Sequence, residues 1–150
     1  MRGRVAVVSV LVAVLVLAAA SAAEAVVVGR GLRCVGVNAL RCGWVNMDTT
    51  NNRVRGYADI KDHTTHQNAQ VQISSVRLYR TSNPDGGTWF EVQNGGAPGW
   101  AEYYDVDSTG LATCLPGHWY RVDYRWYFRD APWEPTQTGV NSSEIVQLRC

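Results

Sequence analysis

One stretch near the C-terminal end of the chain, residues 114–129, limits what the chain can fold into. Its sequence is CLPGHWYRVDYRWYFR. From Tyr120 to Phe128 every second residue is aromatic or valine, and most of the residues between them are charged. Because successive side chains of a β-strand point to opposite faces, this pattern predicts a central strand with an aromatic core face. The residues predicted on the opposite face are Trp119, Arg121, Asp123, Arg125, Tyr127 and Arg129.

The rest of the chain shows strand patterns and turn signals, and no sustained helical period. Residues 54–61 alternate, and residues 69–78 alternate with a change of phase at Ser74 and Ser75 that predicts a β-bulge near Ser75. Further strands are predicted at residues 89–93, 100–106 and 144–150. Turn residues separate these segments about every ten positions. We therefore expect an all-β protein, an antiparallel sandwich of seven to nine strands.

The first 25 residues have the order of a secretory signal peptide. Arg2 and Arg4 precede an apolar run, and Ala23 and Ala25 then have the spacing of a cleavage site. We predict cleavage after Ala25 and a single secreted domain over residues 26–150. An uncleaved membrane anchor is the alternative, because the run up to Ala23 is just long enough to cross a bilayer.

The predicted secreted part has no net charge and many aromatic residues. The chain has 14 Lys and Arg and 13 Asp and Glu, and removing Arg2, Arg4 and Glu24 leaves twelve of each. We expect no nucleic acid partner, because phosphate binding requires gathered positive charge, and no membrane insertion after cleavage. All six Trp and all seven Tyr lie in this part. One core cannot bury so many large rings, so we expect some of them to form a binding surface on a monomeric protein.

The four cysteines, Cys34, Cys42, Cys114 and Cys150, all follow the predicted signal peptide, in a compartment where disulfides form. Three pairings are possible. If Cys114 and Cys150 lie opposite each other on two antiparallel strands, the chain turns midway between them, at residue 132. If Cys34 and Cys42 do so, the chain turns at Asn38, a residue type common in turns. We therefore expect disulfides Cys34–Cys42 and Cys114–Cys150, contributing about 2.6 and about 3.8 kcal/mol by loop closure. A zinc site is the weaker alternative, since the chain has no C-x-x-C motif.

Residues 116–120 read P-G-H-W-Y and lead directly into the alternating stretch. This pattern resembles the corner that enters the penultimate strand of fibronectin type III and related immunoglobulin-like domains. The resemblance implies an immunoglobulin-like sandwich in which the hydroxyl of Tyr120 hydrogen bonds to nearby backbone. Cys114 stands where that pattern has leucine. In composition the whole chain also resembles short proteins of unknown function secreted by bacteria whose proteins are rich in Arg and poor in Lys.

No catalytic motif is present: the chain has no G-x-S-x-G and no H-E-x-x-H, and we expect no free cysteine. Glu91 and Glu102 are possible paired carboxylates of a glycosidase, and a small hydrolase is the least favoured function. His63 and His66, close to two aspartates, have the chemistry of a metal site, but the segment is a predicted polar loop. We expect no metal and no cofactor.

The function that the sequence favours is binding without catalysis. Trp, Tyr and Arg are the residue types enriched in interface hot spots, although an ordinary solvated sheet face is the alternative for the charged stripe. Trp133, between two prolines in a predicted loop, is either a recognition residue or a plug on the end of the sandwich. The candidate binding residues are Trp100, Trp119, Arg121, Arg125, Tyr127 and Trp133.

Planar rings suit both protein hot spots and sugar faces, so the expected ligand is a protein or a cell-surface glycan. The main alternative is a secreted inhibitor or toxin-like effector, in which a rigid loop enters the cleft of another protein.

Overall fold

The computed structural model describes residues 27–64 and 66–150, and the predicted signal peptide, residues 1–25, lies outside them. The described residues form eleven strands and no helix. They accordingly contain no apolar helix that could cross a membrane. In chain order the strands are β1 (Val27–Val35), β2 (Ala39–Asp48), β3 (Arg53–Asp62), β4 (Gln70–Thr81), β5 (Phe90–Gly95), β6 (Ala101–Glu102), β7 (Tyr104–Ser108), β8 (Ala112–Thr113), β9 (Trp119–Arg129), β10 (Gln137–Ser142) and β11 (Val146–Gln147).

The strands make two antiparallel sheets that enclose one core between them. The first sheet has the order β1-β2-β3-β7, and β8 also pairs with β3. The second sheet has the order β10-β9-β4-β5, with β11 pairing with β9 and β6 pairing with β4. The alternating stretch is β9, and it lies between β4 and β10 in the middle of the second sheet. The predicted all-β architecture and the predicted central strand are therefore confirmed.

The core lies between the sheets, and its aromatic bulk comes from β9. The residues that β9 buries are Tyr120, Val122, Tyr124, Trp126 and Phe128. The first sheet accommodates them with glycines: a Cβ atom at Gly43 would lie 2.6 Å from Cε1 of Tyr124, and one at Gly56 would lie 2.7 Å from Cγ2 of Val122. The two sheets therefore approach closely where a large side chain of β9 faces a residue without one.

The predicted bulge in β4 is present, because the pairing of β4 with β9 shifts between Ile73 and Ser75. A side chain of the other sheet holds this irregular point. The carboxylate of Asp105, on β7, accepts a hydrogen bond from the backbone N–H of Ile73 at 2.6 Å. The bulge thus connects the two sheets at a point where the regular ladder of hydrogen bonds is interrupted.

The predicted count of seven to nine strands is wrong, because residues 100–106 form two strands and β10 was not predicted. Residues 100–106 do not form one strand: Tyr103 has a φ of 66°, and the chain passes there from β6 in the second sheet to β7 in the first. Residues 144–150 contribute only the short β11. The ladder before it stops at Ser143, whose hydroxyl accepts a hydrogen bond from the N–H of Val122 at 2.9 Å.

Both predicted disulfides are present, and the structure leaves no cysteine free. Cys34 and Cys42 lie directly opposite each other on β1 and β2. Cys114 precedes β9 and Cys150 follows β11, so their bond closes the open end of the hairpin that turns after Phe128, which pairs with Gln137. The predicted turn at residue 132 is confirmed by this register.

The corner before β9 makes the local contact that the fibronectin resemblance implied. The backbone N–H of Leu115 donates a hydrogen bond of 2.8 Å to the hydroxyl of Tyr120. Gly117 lies within the turn and has a φ of 74°, in the left-handed region that favours glycine. The hydrogen bond fixes how the chain enters the central strand.

Candidate functional site

At its first end, the outer face of β9 carries a guanidinium group held between two aromatic rings. Cζ of Arg121 lies 4.5 Å from the ring centroid of Trp89 and 5.4 Å from that of Tyr79. Nε of Arg121 lies 3.1 Å from Oδ1 of Asp123, which also accepts a hydrogen bond of 2.7 Å from the hydroxyl of Ser142. Arg121 therefore already contacts two rings and a carboxylate within the protein, and its first role is to pack the sheet surface.

The middle of this face is a solvated, charged surface. Arg125 is exposed and lines a shallow cavity of about 160 Å³ together with Arg77, Tyr79 and Val140. Nη1 of Arg77 lies 3.6 Å from Oε2 of Glu91, and a hydrogen bond with Tyr79 and the charge of Glu91 raise the pKa of Arg77. Exposed pairs of this kind contribute little to the stability of the fold, because solvent screens them. This part fits the ordinary solvated face that the sequence left as an alternative.

At the far end of β9, an arginine connects two tryptophan-bearing segments. Cζ of Arg129 lies 4.0 Å from the ring centroid of Trp100, and the ring of Trp100 meets that of Tyr127 edge on, with centroids 6.4 Å apart. Nε of Arg129 donates to Oε1 of Gln70 at 2.8 Å, and its Nη1 donates to the carbonyl of Pro132 at 3.1 Å. Arg129 thus ties the sheet face to the loop that follows β9.

That loop, residues 130–136 (the Trp133 loop), presents its tryptophan to solvent. The side chain of Trp133 is 75% exposed, so the plug on the end of the sandwich is ruled out for this residue. Ala131 is the residue of the loop that is buried, and the N–H of Glu134 donates to its carbonyl at 3.0 Å. Two prolines, this turn and the bond from Arg129 hold the loop in one conformation.

A cavity of about 400 Å³ lies beside Trp133 and is rich in polar groups. It forms between two loops that emerge at the same edge, because Gln70 at the start of β4 pairs with Arg129 at the end of β9. The earlier loop is held by the hydroxyl of Tyr103, which donates to the carbonyl of Gln67 at 2.9 Å. The residues that line the cavity are His66, Gln67, Asn68, Asp130, Ala131, Trp133 and Glu134.

The six predicted binding residues do not form one surface. Trp100, Tyr127 and Trp133 gather at one end, through Arg129. Trp119 lies eight residues from Tyr127 along β9, roughly 26 Å at the rise of a strand, so it and the neighbouring Arg121 belong to the other end. Arg125 lies between the two groups. Trp119 and Trp89 are half-buried.

The structure separates the two carboxylates considered for catalysis. Glu102 pairs with Gln70 and Glu91 pairs with Tyr79, at opposite ends of β4. Nine residues of strand span roughly 30 Å, far beyond the 5–10 Å between glycosidase carboxylates. His63, from the predicted polar loop, is exposed. Within residues 27–64 and 66–150, no three His, Cys, Asp or Glu side chains are placed to hold a metal ion.

Sequence reasoning missed a second cluster, on the outer face of the first sheet. The rings of Trp44 and Tyr57 stack with centroids 5.4 Å apart and planes 9° apart. Beside them is a cavity of about 450 Å³ whose lining includes Trp44, Asp59 and the Cys34–Cys42 disulfide. The alternation of residues 54–61 had placed Tyr57 and Asp59 on the polar face. Only the register of β2 with β3, which sets Trp44 opposite Tyr57, brings the cluster together.

Comparison of the chain with models of known families, with curated proteins and with solved structures gave no match. The functional argument therefore depends on the geometry described above.

Proposed function

We propose that this chain is a secreted, non-catalytic binding domain whose ligand is a cell-surface glycan held at the Trp133 loop. The observation that carries the proposal is the 75% exposure of Trp133 on a braced loop beside a polar cavity of about 400 Å³. Tryptophan is the residue type most enriched at binding hot spots, and cavities of a few hundred Å³ suit small ligands.

The chemistry around Trp133 fits a saccharide. The flat indole face packs against the apolar C–H face of a sugar ring, and neighbouring polar groups bond to the hydroxyls. Gln67 and Asn68 supply amide donors and acceptors from one loop, and Asp130 and Glu134 supply carboxylate acceptors from the other. The aromatic ring can contact the apolar face of a sugar, and the amides and carboxylates at its edge can hydrogen bond to the hydroxyl groups.

Contacts within the protein brace the Trp133 loop in the absence of a ligand. Pro132 and Pro135 limit its backbone, and Arg129 holds the carbonyl of Pro132. Binding therefore loses little conformational freedom, and this raises the affinity obtainable from a small contact. Trp100 extends the surface beside the loop and is 38% exposed, but Arg129 covers one of its faces. We assign Trp100 a peripheral contact.

Secretion and membership of the immunoglobulin-like class are parts of the same proposal. Two disulfides suit an oxidising compartment outside the cytoplasm. The connections β3–β4, β6–β7 and β8–β9 each run from one sheet to the other, as in Greek-key sandwiches. The hydrogen bond at Tyr120 supports the resemblance to the fibronectin type III corner.

The experiment is binding of purified residues 26–150 to immobilised oligosaccharides and to insoluble cell-wall polysaccharides. We expect Trp133→Ala to weaken binding at least tenfold, because the stacking platform is lost. Asn68→Ala should weaken it several-fold through a lost hydrogen bond. Phe90→Ala is the matched control: Phe90 is also a large exposed aromatic residue, 61% exposed, but it lies at the opposite end of β4 from the cavity.

The proposal is wrong if the native domain binds no saccharide, or if Trp133→Ala binds as tightly as the native domain. A pull-down from spent culture medium tests the alternative, that the ligand is a protein. Capture of a protein by the native domain and not by Trp133→Ala would instead support a secreted inhibitor or toxin-like effector, whose projecting loop enters a cleft.

A further inference from the structure

The outer face of the first sheet holds a carboxylate surrounded by apolar groups. Asp59 lies on β3, and the residues directly opposite it are Cys42 on β2, which is part of a disulfide, and Val106 on β7. The stacked rings of Trp44 and Tyr57 lie two positions further along the same two strands, on the same face of the sheet. Asp59 therefore borders a mostly aromatic and aliphatic surface.

This carboxylate has no ion-pair partner within 4 Å among the described residues. The ion pairs among the described residues are Arg33–Glu144, Arg77–Glu91 and Arg121–Asp123, and none of them includes Asp59. The charged and titratable groups that interact with Asp59 are Lys61 on the same strand, Tyr104 on β7, whose hydroxyl lies 3.5 Å from Oδ2 of Asp59, and the buried Tyr124 on β9.

Burial is the main influence on Asp59, and it raises the pKa of the carboxyl group. A hydrogen bond from the backbone of Cys42, the bond from Tyr104 and the charge of Lys61 act in the opposite direction without overcoming it. A partly desolvated carboxylate without an ion-pair partner destabilises the folded chain until a cation reaches it.

We propose that the cavity beside Asp59 binds an organic ammonium group carried on an apolar stem. The ammonium group lies against the Asp59 carboxylate, and the stem lies against Trp44, Leu32 and the Cys34–Cys42 disulfide, which line the same cavity of about 450 Å³. Gly29 also lines the cavity, and because it has no side chain it leaves room for a ligand.

Other ligand classes fit this lining poorly. An anion would meet the negative charge of Asp59, and a metal ion would find one carboxylate where it needs several oxygen or nitrogen ligands. An ammonium ion gains both an ion pair with Asp59 and a contact with the electron-rich ring of Trp44, which lines the same cavity. The site is on the opposite sheet from the Trp133 loop, so it stands independently of the function proposed above.

The test is an NMR titration of ¹⁵N-labelled domain with hexylammonium chloride at pH 7, with hexan-1-ol as the uncharged probe of equal length. We expect saturable shifts of the Trp44 indole N–H and of the Cys42 amide with hexylammonium, and binding of hexan-1-ol at least tenfold weaker. Asp59→Asn should weaken hexylammonium binding at least tenfold. Asp85→Asn, at an exposed turn, is the matched control and should leave it unchanged.

A second variant and a second measurement guard against misfolding of Asp59→Asn. Trp44→Leu keeps the carboxylate and should weaken binding several-fold, and for the native domain the affinity should fall as the pH is lowered and Asp59 becomes protonated. Equal affinity of Asp59→Asn and the native domain, hexan-1-ol binding as tightly as the amine, or shifts confined to Trp133 would each overturn the proposal.

One further arm identifies the source of the ammonium group. Nα-acetyl-lysine methylamide carries the same group and stem with a peptide backbone attached. Binding equal to that of hexylammonium supports the proposal with a lysine side chain of a partner as ligand. Binding of hexylammonium alone supports it with a small free amine as ligand.

Discussion

Two tyrosines on β9 differ in what their hydroxyl groups do for the fold. Tyr120 and Tyr124 are both buried on the same face of the strand. The hydroxyl of Tyr120 accepts a hydrogen bond from Leu115, whereas that of Tyr124 has no hydrogen-bond partner among the described residues. Burial raises the pKa of Tyr124 well above its ordinary value, so the group stays neutral. The first hydroxyl stabilises the fold, and the second is a buried polar group without compensation.

We therefore expect opposite results from the same chemical change. Tyr120→Phe should lower the free energy of unfolding by about 1–2 kcal/mol, because it removes the hydrogen bond and leaves the Leu115 N–H without it. Tyr124→Phe should leave the stability unchanged or raise it. Urea denaturation of both variants measures the difference. Equal destabilisation by the two changes would contradict the assignment of the corner bond to Tyr120.

A second prediction concerns the close approach of the sheets at Gly43. Gly43→Ala should destabilise the domain by about 1–3 kcal/mol, because its Cβ would meet the buried ring of Tyr124 and force the sheets apart. Gly99→Ala is the control, since a Cβ there has no neighbour within 4 Å. Thermal unfolding followed by circular dichroism compares the two. A fully stable Gly43→Ala variant would show that Tyr124 moves freely at this point.

Among the elements, those with a local signal were predictable and those set by long-range contacts were not. The central strand followed from its alternation, the bulge from a change of phase, and the disulfides from the hairpin geometry. Nothing local marks Tyr103 as the point where the chain changes sheets, because tyrosine seldom adopts positive φ. The predicted last strand does pair with β9 through β11, but β10, which pairs with most of β9, was not predicted, because Gly139 is packed under Trp126 and breaks the apolar alternation.

The bulge in β4 supplies a prediction at this scale. Asp105→Ala should weaken protection of the Ile73 amide and lower stability by about 1.5–3 kcal/mol, because the amide loses a charged acceptor. Asp105→Asn keeps an acceptor oxygen and should cost less. Hydrogen exchange of the Ile73 amide is the direct measurement. Unchanged exchange in Asp105→Ala would show that the bulge is held by its own strand.

The two disulfides should contribute unequally. Replacing both Cys114 and Cys150 by alanine removes a closed loop with a sequence separation of 36, against 8 for Cys34 and Cys42. The loop-entropy model gives losses of about 3.8 and about 2.6 kcal/mol. Guanidinium denaturation of the two double variants measures both losses. If the loss of stability is greater for the Cys34 and Cys42 pair, the disulfides do not act mainly by lowering the entropy of the unfolded chain.

For the whole molecule, the sequence indicated residue types of a binding surface but not where they assemble. The sequence predicted Trp133 as a binding residue because a loop between two prolines gives its ring no core to enter, and the ring is exposed for the same reason. The polar wall beside it comes from residues 66–68, which are distant in sequence and reach it only through the pairing of Gln70 with Arg129. Arg121 is of a residue type that is enriched in binding surfaces, yet its side chain already contacts Trp89 and Asp123 within the protein. Composition therefore predicts candidate residues, and register decides which of them are available.

The pH dependence of stability should report on Asp59. Its pKa in the folded domain is raised by burial, so the unfolded chain loses this proton first as the pH rises. The native domain is therefore favoured below the unfolded value near 3.8 and loses this contribution as the pH passes through the raised folded value. Relative to Asp59→Asn, the native domain should be less stable at pH 7 than at pH 3. Denaturation curves of both proteins at these pH values check the sign, and a constant difference would contradict it.

The bond between Cys114 and Cys150 also determines how the domain bears tension. A force applied at Cys150 passes through the two sulfur atoms to Cys114 and bypasses residues 115–149 between them. Strands β9, β10 and β11 lie inside this shielded segment, and so does Trp133. A load that peels β1 from the first sheet would therefore leave the Trp133 loop intact, and only a reductant would expose the segment to mechanical extension.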